Sequence, residues 1–164
     1  MNEKLGSFLE RGGTWVVMQS LLMTAVIVLG VAARGGWTNM PVMVAGAFLF
    51  LLGGYCGIAG VIVLGRNRTP YPEPREGSEL VQSGIYARVR HPLYTSVILA
   101  SFGWAMIWQS RPALVAALVL APFFHAKSKR EERSLRERFP GYEDYARRVP
   151  RFIPRLKPPS QVCL

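Results

Sequence analysis

Two polar motifs hold the residues of this chain whose types and spacing could do chemistry. The first, Ser83-Gly84-Ile85-Tyr86-Ala87-Arg88-Val89-Arg90-His91-Pro92-Leu93-Tyr94, leads from a basic loop into an apolar stretch. The second, Lys127-Ser128-Lys129-Arg130-Glu131-Glu132, comes about forty residues later, where the next apolar stretch ends. Singly, each member has an ordinary structural use. A histidine at a helix start caps it, Glu131 and Glu132 in a basic run form i,i+4 pairs on a solvated face, and Tyr86 and Tyr94 suit a membrane interface. Together they bring an imidazole, phenol hydroxyls, carboxylates and an ammonium to one place. No metal-ligand spacing, nucleophile–base pair or phosphate-binding glycine loop accompanies them. That set suits the binding and orientation of a small molecule at a membrane surface, reached by water on one side and lipid on the other.

The elements that must position these motifs are helices. Residues 14–33 and 37–64 carry no formal charge, and each is long enough for the roughly 20 residues that a ~30 Å hydrocarbon core requires. Residues 92–110 form a third uncharged stretch and 112–126 a fourth. The fourth is short, so its helix is expected to run on into the charged segment after Ala126. Backbone polar groups exposed to lipid are costly, which leaves helices as the spanning elements. The expected fold is an all-α integral membrane bundle of about four transmembrane helices, followed by a C-terminal cytosolic amphipathic segment. It forms a single domain over 1–164, with two N-terminal spans in 1–64 and the functional core in 65–155.

Charge orients the bundle. The chain has a net charge of +10, and of its 20 Lys and Arg only Arg34 and Arg111 fall in the loops after the first and third spans. The bias toward positive cytoplasmic loops then puts both termini, the 65–91 loop and both motifs in the cytoplasm. This asymmetry, with attraction to anionic lipid headgroups, accounts for the basic composition without a nucleic-acid partner. Cys56 and Cys163 give neither a disulfide framework nor a metal site.

Punctuation supports the same layout. Thr69-Pro70-Tyr71-Pro72-Glu73-Pro74 prevents a helix and favours an extended path. Pro92 suits the first turn of the third helix, and Ser110-Arg111-Pro112 reads as an N-cap and N1 proline after a tight turn. Pro122 falls inside the fourth helix and is expected to kink it. Gly53 and Gly57 let a helix approach closely, within the chain or between two copies. Leu135, Phe139 and Tyr142, then Tyr145, Val149 and Phe152, form an apolar stripe in the tail. Such a stripe suits either a segment lying on anionic lipid or a cover over a cytosolic pocket.

The combination Leu80-Val81-x-Ser83-Gly84-x-Tyr86, Arg90-His91-Pro92-x-Tyr94, Glu131-Glu132-x-x-Leu135, Phe139, Tyr142-x-x-Tyr145 and Val149-Pro150 resembles the isoprenylcysteine carboxyl methyltransferase family, which is related to phospholipid methyltransferases. The resemblance covers roughly residues 65–155. It implies an S-adenosyl-L-methionine cofactor held where the motifs converge: Ser78, Glu79, Leu80 and Val81 at the adenosyl group, Tyr86, His91, Pro92 and Tyr94 from the first motif, and Glu131 with Glu132 from the second. It further implies that Lys127 stands where the family has a basic residue near the substrate. Lys127 and Glu131 are four apart and share a helix face.

Three positions depart from the family pattern. Ser96 and Pro140 stand where glycine is usual, and Lys127 replaces an arginine, which matters if a carboxylate must be held bidentately.

The implied activity is methylation of a lipophilic or lipidated acceptor, with the carboxylate of an isoprenylcysteine-like compound expected first. A carboxylate is already ionised at neutral pH, whereas an amine with a pKa near ~10 must first lose a proton. Rival readings are a phospholipid amine N-methyltransferase, an NADPH-dependent sterol-reductase-like enzyme and a non-enzymatic membrane scaffold. Membrane lipids are expected neighbours, and the sequence leaves the oligomeric state open.

Overall fold

The computed structural model describes residues 12–67, 69, 71 and 77–154. Five α-helices follow one another: α1 Gly13–Ala32, α2 Met40–Leu64, α3 Pro92–Ile107, α4 Arg111–Arg138 and α5 Tyr142–Arg148, with 3-10 turns at Gly65–Asn67 and Gly84–Ala87. No strand occurs among the described residues. Two helices, Gly13–Ala32 and Met40–Asn67, are long and apolar enough to cross a membrane, and α3 is a shorter apolar helix. Only 11% and 17% of the apolar windows in those two helices are buried. Leu21, Phe48, Leu51, Ile58 and Ile62 instead face outward, unlike the side chains of a helix in a soluble core.

The helix starts follow from local chemistry. Asn39 caps α2, its side chain accepting from the Val42 amide at 3.1 Å, with a proline in the first turn. Ser110 caps α4 by accepting from the Ala113 amide, and its hydroxyl donates to the Leu29 carbonyl at 2.8 Å. Pro92 opens α3 as the sequence predicts. The α4 helix continues unbroken through Pro122 and extends well past Ala126. Of the proline-rich stretch 69–74, only Thr69 and Tyr71 are among the described residues, and Cys163 lies outside them.

Glycine lets α3 lie directly on α2. A Cβ on Gly53 would sit 2.8 Å from the Ser96 carbonyl oxygen and the Ala100 amide nitrogen, and one on Gly57 would sit 2.6 Å from Ser96 Oγ. The Gly53–Gly57 pair therefore packs within the chain. It also makes room for Ser96. Further along, a Cβ on Gly103 would fall 2.5 Å from the Phe50 amide nitrogen and 2.6 Å from the Gly46 carbonyl oxygen. These contacts run antiparallel, from Gly46 beside Gly103 to Gly60 beside Leu93. On the other side of α3, the Trp104 indole donates to the Ile27 carbonyl. The α1 and α4 helices meet through Trp15 and Phe123, with ring centroids 5.5 Å apart.

The tail folds back onto the bundle. Tyr142, Tyr145 and Val149 are buried together against Leu80, Leu135 and Phe139. The tail's apolar stripe thus packs on the chain itself.

Gly103→Ala should destabilise the bundle by about 1–3 kcal/mol, the usual cost of overpacking a tight contact. Gly54, with nothing within 4 Å of its virtual Cβ, should accept alanine without loss. Thermal unfolding of both variants in one detergent checks the contrast.

Candidate active site

The site lies at the end of the bundle where α2 ends, α3 begins and α4 projects beyond both. Gly84 forms the turn that brings the first motif there. Its φ of +58° suits glycine, and a Cβ would meet Val63 at 2.7 Å. The turn places Tyr86 in the interior, where Tyr145 donates its hydroxyl hydrogen to the Tyr86 carbonyl at 2.8 Å. The chain then pairs with the tail: the Arg90 amide donates to the Pro150 carbonyl at 2.9 Å and the His91 amide to the Arg151 carbonyl at 3.1 Å. Thr95 completes the join by donating to the Phe152 carbonyl at 3.0 Å.

A cavity of about 120 Å³ opens between these elements. Its wall includes Ser78, Glu79, Leu80, Val81, Tyr86, His91, Tyr94 and Glu131, all singled out by the sequence. Pro92, Glu132 and Lys127 lie outside the wall. Pro92 is in the first turn of α3, and Glu132 turns toward the tail. Lys127 is buried, donates to Gln19 Oε1 at 2.6 Å and lies over the Tyr94 ring, 5.5 Å from its centroid. The wall also contains Leu64, Asn67, Thr69, Arg90, Leu93, Leu135, Phe139, Tyr142 and Tyr145. Four of these, Leu135, Phe139, Tyr142 and Tyr145, belong to the tail stripe. No sequence signal marked the end of α2 as a wall.

Two adjacent carboxylates divide the polar contacts. Glu131 accepts from the Tyr94 hydroxyl at 2.6 Å, with His91 Nδ1 3.7 Å away. Glu132 is fully buried and receives both arms of Arg151, at 2.8 and 2.6 Å. His91 Nε2 lies 3.1 Å from the same carboxylate, Arg90 at 3.4 Å and Arg136 at 3.8 Å. The His91 ring stacks on Tyr94 at 5.3 Å, and Tyr94 in turn stacks on Phe124 at 4.8 Å. Among the described residues, Ser78 Oγ, Arg90 Nε and the Tyr142 hydroxyl are buried without a hydrogen-bond partner, and all three residues line the cavity. Unpaired polar atoms of this kind are costly. They leave the cavity ready for a polar ligand.

Ionisation follows from these contacts. Burial alone would raise the Glu132 pKa, but hydrogen bonds from His91 and Arg151, with the charge of Arg90, outweigh it and hold the carboxyl at about 2. Burial, foremost, pushes the hydroxyls of Tyr86, Tyr142 and Tyr145 upward. They therefore remain protonated, able to donate and accept.

Glu132→Gln should cost about 1–3 kcal/mol at neutral pH, because it removes the charged partner of the part-buried Arg90 and Arg151 and leaves their hydrogen bonds only partly replaced. The native Glu132 contribution is present above the ordinary carboxylate value of 4.5 and is lost as pH falls toward about 2. Unfolding of both proteins across that window checks the sign: the acid-dependent component should vanish in the variant.

Comparison with known proteins shows the family. The phospholipid methyltransferase family matches residues 41–141, more than half of the chain. The nickel-cobalt-cadmium resistance protein NccN of Alcaligenes xylosoxydans xylosoxydans is 32% identical over 155 residues, covering 93% of this chain and 69% of its own. The cobalt-zinc-cadmium resistance protein CzcN of Cupriavidus metallidurans is 30% identical over 159 residues, covering 95% and 70%. Protein-S-isoprenylcysteine O-methyltransferase B of Arabidopsis thaliana is 32% identical over 113 residues, covering 66% and 57%. The chain belongs to the phospholipid methyltransferase family, as a membrane methyltransferase related to the protein-S-isoprenylcysteine O-methyltransferases.

Proposed function

We propose that this protein uses S-adenosyl-L-methionine to methylate a lipophilic acceptor, with the carboxylate of an isoprenylcysteine-like compound as the favoured target. The observation that carries this reading is a single cavity walled by both polar motifs, with unpartnered polar atoms in its lining. We also assign four crossings. The 16 residues of α3 reach about 24 Å, and α4 runs antiparallel beside it from Ser110. The positive charge bias supports placing the cavity and both chain ends in the cytoplasm.

The lining fits the cofactor in kind. Leu64, Leu80, Val81 and Phe139 would enclose its adenine, while Ser78, Asn67 and Glu79 offer polar contacts to the sugar and base edge. Tyr86, Tyr94 and Tyr142 present aromatic surface suited to a cation. Glu131 and His91 would hold the ammonium end, and the free Nε of Arg90 the carboxylate. When bound, S-adenosyl-L-methionine supplies an electrophilic methyl group on a sulfonium centre.

The protein's task is then to align and desolvate. Proximity and orientation lower the barrier of an in-line displacement by several kcal/mol, and a carboxylate acceptor needs no general base. Tyr94 separates the cavity it lines from Lys127, which lies over its ring. Lys127 would hold an anionic acceptor group on that side and oppose an ammonium, which disfavours a phospholipid amine. Acceptors would approach from lipid between helices. Two relatives carry metal-resistance names. Among the described residues, no group of three or more His, Cys, Asp or Glu side chains is arranged to hold a metal ion.

Calorimetry on detergent-solubilised protein should show binding of S-adenosyl-L-methionine or its demethylated product and none of NADPH. His91→Ala and Glu131→Gln should each weaken binding by about 1.5–3 kcal/mol, the range for a charge-assisted hydrogen bond. Unchanged affinity in both variants would refute the site.

Labelled methyl donor with lipid extracts then identifies the acceptor: a methyl ester is cleaved by base and an N-methyl group is not. Lys127→Ala should abolish most turnover while leaving cofactor affinity nearly intact, and Lys127→Arg should retain part of the activity. A base-stable methylated phospholipid made at full rate by Lys127→Ala would overturn both the acceptor class and the role of Lys127.

A further inference from the structure

Glu132 is absent from the cavity wall, yet Arg90, His91, Arg136 and Arg151 all approach its carboxylate. Its shortest contacts come from Arg151, whose Nε meets Oε1 at 2.8 Å and Nη2 meets Oε2 at 2.6 Å. Arg90 and Arg136 stand farther off, at 3.4 and 3.8 Å. Arg151 is therefore joined to His91 twice, through the backbone bond from the His91 amide and through the shared carboxylate. Arg151 also lies beyond the family match, which ends at residue 141.

The Glu132 carboxylate determines which nitrogen of His91 carries the proton. An ionised carboxylate only accepts, so Nε2, 3.1 Å away, must be the donor. In the neutral ring Nδ1 is then an acceptor, and it lies on the Glu131 side, 3.7 Å from Oε2. Stacking on Tyr94 at an interplanar angle of 6° fixes the plane of the ring but not its facing. A half-turn about the Cβ–Cγ bond would keep the stack while presenting carbon to both carboxylates. The hydrogen bond to Glu132, the shorter of the two carboxylate contacts, selects the observed orientation.

We propose that Arg151 is a positioning residue for His91: through Glu132 it fixes the imidazole in the Nε2–H tautomer and turns an accepting Nδ1 toward Glu131 and the cavity. The resulting pair of acceptors, a carboxylate and an imine nitrogen, suits a ligand group rich in donors, such as an ammonium. The arrangement stands whichever molecule fills the cavity, so its test is independent of the cofactor.

The chain has two histidines, so His125→Gln leaves His91 as the only imidazole. Protein labelled with 15N-histidine on that background, in detergent and at a pH where the ring is neutral, reports the protonated nitrogen by long-range 1H–15N correlation. The parent should show the proton on Nε2. Adding Arg151→Gln should shift the tautomer ratio by about tenfold toward Nδ1–H, the scale of one lost charged hydrogen bond. Arg151→Lys, which keeps the charge, should restore most of the parent ratio. A proton on Nδ1 in the parent, or a tautomer ratio unchanged by Arg151→Gln, would overturn the proposal. The parent spectrum tests it even where a variant fails to fold.

Discussion

Burying an ionised carboxylate costs several kcal/mol unless it is fully paired, and Glu132 meets that condition only when three separate segments converge. The carboxylate belongs to α4, His91 and Arg90 arrive with the turn before α3, and Arg151 arrives with the tail. Removing any one segment leaves a charge without its partner in the interior. The tail is therefore part of the folded core, held by two backbone hydrogen bonds as well as by Arg151. Its position brings Tyr142 and Tyr145 against the cavity. An electrostatic requirement at one side chain thus helps shape a cavity wall that includes the rings of Tyr86, Tyr94, Phe139, Tyr142 and Tyr145.

The α4 helix turns one run of sequence into three environments. Successive residues on a helix are separated by about 100°, so Glu131 and Glu132 cannot face the same space. Glu131 meets Tyr94 at the cavity, while Glu132 meets Arg151 beneath the tail. Lys127, one turn before Glu131, reaches Gln19 on α1. This division depends on α3 holding Tyr94 at a fixed height, which in turn depends on the glycines of α2. A side chain at Gly53 or Gly103 would drive the two backbones apart, and Tyr94 would move with α3.

Much of this arrangement was legible in the sequence, for physical reasons. Uncharged runs marked the helices, and Pro92 and Ser110 marked their starts, because capping and proline chemistry are local. Of the eight cavity residues foreseen, Tyr86, His91, Tyr94 and Glu131 belong to the two motifs, while Ser78, Glu79, Leu80 and Val81 were implied by the family resemblance; the Gly84 turn is the short-range feature that brings the first motif to the cavity. Glu132 was grouped with its neighbour Glu131 because the 100° between them does not tell which of the two meets the cavity until the partners are placed. Arg151 and Gln19 went unmarked for a related reason. Each is an isolated polar residue whose partner lies 19 or 108 positions away, and no periodicity links such pairs. The tail stripe was visible as apolar, but its packing against Leu80 joins residues far apart in the chain that no periodicity links.

The unequal lengths of α3 and α4 explain why the site occupies this end. With 28 residues, α4 extends about 42 Å against about 24 Å for α3. The two helices meet at the Trp108–Arg111 turn, where α3 ends and α4 begins, so the excess projects past the start of α3 and carries Glu131, Glu132 and Leu135 beyond the most apolar part of the bundle. A polar cofactor can be held on that overhang in contact with water. Tyr94, Phe124 and Lys127 lie just inside it, where apolar side chains from α1 and α4 still meet. Under the proposed function, the two substrates differ most in solubility, and the reaction must bring them into van der Waals contact. Under that same reading, α4 would leave the lipid beyond the start of α3 and supply a surface where a charged donor and a greasy acceptor share one aromatic ring, that of Tyr94.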